Sequence, residues 1–98
     1  MSLPEIEIIE TTETDLEPLY RVIIHNDNVT PMDFVVEVLK QIFFLANDRA
    51  ADIMLTAHIK GSAYVQTPPK MEAEKRVQYA HQVAHAEGYP LHFSIERE

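Results

Sequence analysis

The sequence has no cysteine and only two glycines among its 98 residues. The lack of cysteine excludes disulfide bonds, thiolate catalysis and cysteine-ligated zinc. With Gly61 and Gly88 alone, a glycine-rich phosphate-binding loop or a dinucleotide-binding fingerprint cannot be formed. These two shortages count against the enzyme classes that depend on thiols or on nucleotide-binding loops.

Long apolar runs and basic N-terminal residues are also missing. The longest unbroken apolar run extends from Ile42 to Ala46, whereas a membrane-spanning helix needs about 20 such residues. The first twenty residues contain acidic side chains and no basic one, the opposite of a signal or transit peptide. We therefore expect a soluble cytoplasmic protein with no membrane partner, and the lack of cysteine is compatible with a reducing cytosol.

Acidic residues outnumber basic ones, and the excess lies mainly at the N-terminus. The net charge is −8, and residues 1–18 contain six acidic and no basic side chains, which leaves ten acidic against eight basic residues in the remainder. Phosphate contacts need clustered lysine and arginine, so a nucleic-acid partner is not expected. The sequence predicts a flexible acidic extension over residues 1–18 and one folded domain over residues 19–98.

Hydrophobic periodicity divides the predicted domain into three strands and three helices. The predicted elements are, in chain order, a strand over 20–25, a helix over 31–44, a helix over 49–60, a strand over 62–66, a helix over 70–87 and a strand over 91–95. Gly61 and Gly88 stand where a left-handed residue ends a helix. The order βααβαβ predicts a two-layer α+β domain, in which a three-stranded antiparallel sheet packs against three helices.

The residues offer no recognisable reaction centre. Ser62 follows a glycine but lacks the rest of a nucleophile elbow. Glu72 and Glu74 are two residues apart on the predicted third helix, so their carboxylates point to different faces. His81 and His85 have a spacing that permits two metal ligands, but no third histidine lies nearby and there is no cysteine, and an exposed polar stripe explains the pair better. We expect neither an enzyme nor a bound cofactor or metal.

The segment 26–36 combines polar oxygens with apolar surface. Asn26 and Asp27 present side-chain oxygens before a helix begins. Thr30 is a candidate N-cap residue, and Pro31 suits the first helical position. The apolar residues beside them are Met32, Phe34, Val35 and Val36. A carboxylate and an amide next to an apolar wall suit a cationic ligand that carries an apolar side chain, such as the N-terminal residue of another protein.

Several spaced motifs extend this segment into a longer pattern. They are Tyr20-x-Val22, Asn26-Asp27, Thr30-Pro31-Met32-x-Phe34-Val35-Val36, Met54-Leu55, His58, Gly61, Ala73-Glu74 and Gly88-Tyr89-Pro90-Leu91. They are similar to the signature of the ClpS adaptor family, and this resemblance covers about residues 19–96. The fold that this resemblance implies, three strands and three helices, agrees with the order predicted from periodicity.

The resemblance implies an adaptor for an ATP-dependent protease. Such an adaptor binds N-degrons, which are substrates that begin with Leu, Phe, Tyr or Trp, and delivers them to a Clp AAA+ unfoldase of the ClpA or ClpC type for proteolysis by ClpP. Asn26, Asp27 and His58 would hold the α-ammonium group of the substrate. That group has three donors, which carboxylate, amide and imidazole acceptors can satisfy. His58 must be neutral at one nitrogen to accept, so binding should weaken in acid.

By the same resemblance, a second set of residues would receive the first side chain of the substrate. The residues that would line or border this apolar pocket are Ile24, Thr30, Met32, Val35, Met54, Ala57 and Leu91. Ordinary core packing is the competing interpretation, most of all for Val35 and Leu91. Ala57 stands where the family usually has valine, which should reshape the pocket, and Asn28 stands where the family most often has a second aspartate.

The resemblance also points to a surface that docks the unfoldase. Met71, Glu74 and Arg76 on the third helix fall in that surface. Met71 replaces a usual glutamate, whereas Arg76 replaces a usual lysine and keeps the charge.

Two other functions remain open from the sequence. The same topology resembles the C-terminal domain of the ribosomal stalk protein L7/L12, an interaction module that does not bind N-degrons, and fold alone does not fix function. Asn26, Asp27 and His58 beside a pocket would distinguish the adaptor from such a module. A metal-binding protein that uses His81 and His85 would instead show tight zinc uptake that is lost when either residue is changed.

Overall fold

The computed structural model describes residues 17–98. Its elements are β1 (Tyr20–His25), α1 (Met32–Gln41), α2 (Asn47–Lys60), β2 (Ser62–Gln66), α3 (Lys70–Ala86) and β3 (His92–Arg97). The predicted order βααβαβ and the two-layer α+β class are confirmed. No helix in the described part of the chain is both long enough and apolar enough to span a membrane.

The first strand is the centre of the sheet. The strand order is β2-β1-β3, and both neighbours run antiparallel to β1. Ile24 pairs with Ala63 of β2 and with Phe93 of β3, and all three side chains are buried. Val22 is also buried, two residues before Ile24, because alternate residues of a strand face the same side of the sheet. The helices cover this face.

The core between the two layers consists mainly of aliphatic side chains, with one pair of aromatic rings. The rings of Phe43 and Phe93 lie 4.9 Å apart, between their centroids. The buried positions of α3 are Ala73, Ala80 and Ala84. Because alanine side chains are short, the α3 backbone can lie close to the sheet.

The start of α1 differs from the prediction. Thr30 was expected to be the N-cap and Pro31 the first helical residue, but Pro31 is the N-cap, with an extended ψ of 144°, and the helix begins at Met32. The hydroxyl of Thr30 donates to the Asp27 carboxylate instead. The second helix, predicted to begin at residue 49, begins two residues earlier, at Asn47, and Ala46 is its N-cap.

The end of α1 also differs. The apolar pattern predicted a helix to residue 44, whereas α1 ends at Gln41. The amide of Leu45 donates to the Leu39 carbonyl at 3.3 Å, and Phe44 has a left-handed φ of +58°. The chain therefore turns back over the last helical turn, which buries Phe43 and leaves Phe44 exposed.

The first described residues form backbone hydrogen bonds with the start of α3 and with the last residue of the chain. The amide of Lys70 donates to the Pro18 carbonyl at 3.0 Å, and the amide of Glu98 donates to the Leu19 carbonyl at 3.2 Å. Apart from residues 17 and 18, the predicted acidic extension lies outside the described residues.

Candidate functional site

A hollow of about 190 Å³ opens where β1 ends, α1 begins and α2 ends. The residues predicted for the apolar pocket all line it: Ile24, Thr30, Met32, Val35, Met54, Ala57 and Leu91. The three residues predicted to hold an α-ammonium group, Asn26, Asp27 and His58, line the same hollow. The structure thus brings together residues that are spread over more than sixty positions of the sequence.

The hollow is apolar inside and polar at its rim. Ile24, Ala57 and Leu91 are each at most 5% exposed, so they form its floor and walls. Met54 is half-buried and Met32 is 44% exposed, so the two methionines border its mouth. Methionine side chains adapt their shape easily, which suits a pocket that accepts more than one side chain.

Asp27 is held in place by the turn that precedes α1. Its Oδ1 accepts hydrogen bonds from the backbone amides of Val29 (2.8 Å) and Thr30 (2.7 Å), and its Oδ2 accepts one from the Thr30 hydroxyl (2.9 Å). Burial by itself raises the pKa of Asp27, but these hydrogen bonds outweigh it and bring the pKa below the usual 3.8. The carboxylate is therefore charged at neutral pH, and its orientation is fixed before any ligand arrives.

The end of α2 brings His58 and Asn26 to the same hollow. Gly61 has a φ of +96° and ends the helix in the left-handed conformation, as predicted. Its amide donates to the Ala57 carbonyl at 2.8 Å, and its carbonyl accepts from the Asn26 amide at 2.9 Å. This backbone link connects the last turn of α2, which carries His58, to the residue that follows β1.

The polar rim has acceptors that are free to bind. Asn26 and His58 are exposed. Among residues 17–98, neither the Asn26 side-chain amide nor the His58 ring has a hydrogen-bond partner. A charged carboxylate, an amide oxygen and an imidazole nitrogen can together accept the three donors of an ammonium group.

Two further residues line the hollow that were not in the predicted set. His25 and Asn28 flank the Asn26-Asp27 pair in the sequence. The Nε2 of His25 lies 2.7 Å from the hydroxyl of Ser94 on β3. Adjacency to the predicted pair was the signal that could have added both.

The prediction of an exposed polar stripe was wrong for His81. Its ring is half-buried, and its Nε2 accepts a hydrogen bond from the backbone amide of Phe93 at 2.9 Å. Burial, followed by the nearby His92 and His85, lowers the pKa of His81 below the usual 6.5. With Nε2 engaged, the pair His81 and His85 is a poor metal site, and within residues 17–98 no group of three or more His, Asp or Glu side chains could hold a metal ion.

The residues predicted for unfoldase docking differ in their surroundings. Met71 is 63% exposed, and Glu74 is exposed one turn further along α3. Arg76 is half-buried. Its guanidinium donates to the Gln66 side chain at 2.7 Å and lies 5.0 Å from the centre of the Phe44 ring. Met71 and Glu74 therefore have solvent-accessible side chains, whereas Arg76 is already engaged within the fold.

Comparisons with known proteins agree with this architecture. The family described as "ATP-dependent Clp protease adaptor protein ClpS" matches residues 15–94. The ATP-dependent Clp protease adapter protein ClpS of Desulforapulum autotrophicum is 36% identical, over 100% of both chains. The namesake protein of Desulfotalea psychrophila is 42% identical over 92% of this chain and 88% of its own length.

A solved structure is similar to the whole described domain. It is Agrobacterium tumefaciens ClpS2 bound to L-phenylalaninamide, with a TM-score of 0.80 and 38% identity. The match covers 84% of this chain and 99% of the ClpS2 chain. This chain belongs to the ClpS family of adaptors for the ATP-dependent Clp protease.

Proposed function

We propose that this protein binds the free N-terminus of substrates that begin with Leu, Phe, Tyr or Trp and delivers them to a Clp AAA+ unfoldase of the ClpA or ClpC type. The observation that carries the proposal is the hollow itself, in which a fixed Asp27 carboxylate stands at the rim of an apolar cavity. The similar ClpS2 was solved with L-phenylalaninamide, a ligand that has both an ammonium group and an apolar side chain.

The dimensions of the hollow favour one side chain over a larger ligand. Its volume of about 190 Å³ is below the roughly 300–1,000 Å³ of pockets that hold drug-sized molecules. The substrate's first side chain would enter the cavity, and its α-ammonium would stay at the rim with Asn26, Asp27 and His58. The remainder of the substrate would lie outside, so recognition would depend on the first residue.

The adaptor role requires no chemistry from the protein itself. We propose that it acts without catalysis and without a cofactor, and that it works in the cytoplasm, with which the lack of cysteine is compatible. Delivery would use Met71, Glu74 and Arg76 on α3. The exposure of Met71 and Glu74 supports a docking role for these two residues more directly than it does for Arg76.

A titration with paired peptides tests the binding part of this proposal. Peptides that start with Leu, Phe, Tyr or Trp are compared, by fluorescence anisotropy, with the same peptides after N-acetylation. Acetylation removes the charge and two donors, and it leaves Asp27 beside a neutral amide. We expect a loss of about 2–5 kcal/mol in binding free energy, and equal affinities would contradict N-degron recognition.

Two aspartates near the start of α1 offer a matched control for the same titration. Asp27→Asn removes the carboxylate from the rim, whereas Asp33→Asn removes an exposed carboxylate whose one hydrogen-bond donor within residues 17–98 is the neighbouring Phe34 amide. Asp27→Asn should abolish the preference for free over acetylated peptides, and Asp33→Asn should keep it. If the protein were an L7/L12-like module without N-degron binding, neither wild type nor either variant would show this preference.

A further inference from the structure

Three of the five histidines form a row of neighbouring rings that leads from α3 to the proposed binding site. The rings of His81 and His92 lie 5.4 Å apart and are nearly parallel, with 10° between their planes. His92 in turn lies 5.3 Å from the ring of His25 on β1. His25 lines the hollow that holds the candidate site.

His81 accepts a hydrogen bond from a backbone amide at the edge of the sheet. Since β3 is an edge strand, the Phe93 amide can point away from the sheet, and it donates to the His81 Nε2 at 2.9 Å. A ring nitrogen accepts a hydrogen bond only when it carries no proton, so this contact requires neutral His81. Leu91, a wall of the hollow, lies two residues before Phe93.

We propose that His81 is a positioning residue for N-degron binding: its neutral ring holds the start of β3, and with it the Leu91 wall, and protonation of His81 releases that wall. The inference rests on the proposed function, because it concerns the same hollow. The inference adds His81, a residue of α3 that does not line the hollow, to the residues on which binding depends. Part of the loss of binding in acid would then not depend on His58.

The surroundings of His81 favour its neutral form. The titratable side chains that share a surface hollow with it are Glu74 and His85 on α3, Tyr89 in the following turn and His92 on β3. Beyond His92 the row of rings continues to His25, which shares the hollow of the candidate site with Asp27 and His58. Among the side chains that share a surface hollow with His81, Glu74 is the one carboxylate, and it is exposed. A protonated His81 would therefore have more histidine rings than carboxylates around it.

The direction of the pH effect follows from this environment. Burial, with His92 and His85, lowers the pKa of His81 below 6.5, so an unfolded chain takes up this proton before the folded one does. The stabilising contribution is complete above about pH 6.5 and falls as the pH drops towards the folded-state pKa. Each pH unit below the folded-state pKa reduces the fraction with neutral His81, and the apparent affinity, about tenfold.

The test compares His81→Gln with wild type at about pH 8 and at steps down to about pH 4.5, because the pKa of His81 lies below the usual range of histidine titration. Glutamine keeps a side-chain acceptor that does not titrate. Both proteins should bind a Phe-starting peptide equally well at the higher pH, and His81→Gln should lose several-fold less affinity in acid. His58 is present in both proteins, so its own contribution cancels in the ratio. Lys75→Gln, an exposed change on the same helix that does not contribute to the pKa shift of His81, should behave like wild type.

A second measurement, on the unliganded wild-type protein, makes the test independent of the variant's folding. The NMR shift of the Phe93 amide proton should move with pH as His81 takes up a proton. An amide that does not respond, or an equal acid loss in wild type and His81→Gln, would overturn the role of His81 while leaving N-degron binding intact. Failure of wild type to bind at the higher pH would instead overturn the proposed function, and the role of His81 with it.

Discussion

At the scale of single residues, the fixed charge of the site depends on Thr30. Its amide and its hydroxyl provide two of the three hydrogen bonds to the Asp27 carboxylate. These bonds lower the pKa of Asp27 below 3.8, so the carboxylate stays charged above that pH. Its contribution to the stability of the fold is complete above pH 3.8 and is lost only as the pH falls through the lower folded-state pKa. Loss of binding between neutral pH and about pH 5 should therefore come from histidine and not from Asp27.

Replacing Thr30 with valine tests this dependence. Thr30→Val keeps the shape of the side chain but removes the hydroxyl donor, so Asp27 becomes less well oriented and its pKa rises. Hydrogen bonds to charged groups contribute about 1.5–3 kcal/mol, and we expect peptide affinity to fall by at least about tenfold. Thr56→Val, an exposed change on α2, is the control. If peptide titration gives the same affinity for both variants, the Thr30 hydroxyl does not matter for binding.

The two methionines at the mouth lead to a prediction about side-chain selectivity. Peptides that start with Val or Ile should bind worse than those that start with Leu or Phe, because a branched Cβ places a methyl group against Met32 and Met54. Met54→Ala should relax this exclusion, whereas Met71→Ala, on an exposed part of α3, should not. Affinities measured for the four peptides check this, and unchanged exclusion in Met54→Ala would assign Met54 to the core.

At the scale of elements, the end of α2 connects backbone conformation to binding. Gly61 and Gly88 both have a left-handed φ, of +96° and +79°, and an added Cβ would meet nothing within 4 Å at either position. Gly61→Ala and Gly88→Ala should therefore have a similar cost in stability, about 1–2 kcal/mol, from backbone strain alone. Thermal unfolding of the two variants measures this cost.

Of the two substitutions, only Gly61→Ala should also weaken peptide binding. Its carbonyl accepts from the Asn26 amide, so strain at Gly61 shifts His58 relative to Asn26. Peptide affinity should fall in Gly61→Ala and stay near the wild-type value in Gly88→Ala, although both unfold at a lower temperature. Equal affinities would mean that the link between Asn26 and Gly61 does not position the site.

The elements also show what the sequence could predict. Helix and strand periodicity was sufficient for the order βααβαβ, because each element buries one regular face. The start of α1 was predicted one residue too early, because the Asp27 carboxylate binds both the Thr30 amide and its hydroxyl. The hydrogen bond of His81 could not be predicted from its helix alone, since its partner is the Phe93 amide at the edge of β3.

At the scale of the whole molecule, the candidate site depends on contacts between distant parts of the chain. Nothing in the local pattern places His58 beside Asn26, and the two were joined in the prediction only by resemblance to a family. The physical connection is the backbone hydrogen bond between Asn26 and Gly61. Loops that meet in space carry little mutual signal in one sequence, so the membership of such a site follows from the fold.

The last prediction separates peptide binding by the folded domain from delivery to the unfoldase by the acidic N-terminal residues. Removing residues 1–17 keeps Pro18, whose carbonyl accepts from the Lys70 amide, and it removes six acidic side chains and no basic one. Peptide affinity should stay within about twofold, since the folded backbone contacts are kept. Turnover of an N-degron substrate by the unfoldase and its protease should fall, because we propose that the acidic residues engage the unfoldase after docking.

A deeper truncation is the matched comparison for this experiment. Removing residues 1–19 also deletes the carbonyls of Pro18 and Leu19, which accept from the amides of Lys70 and Glu98. That protein should unfold at a lower temperature, whereas the one that lacks only residues 1–17 should not. Weaker peptide binding after the shorter truncation would place the acidic residues in the binding domain. Unchanged turnover would exclude them from delivery, and the docking surface on α3 would then be the remaining candidate for contact with the unfoldase.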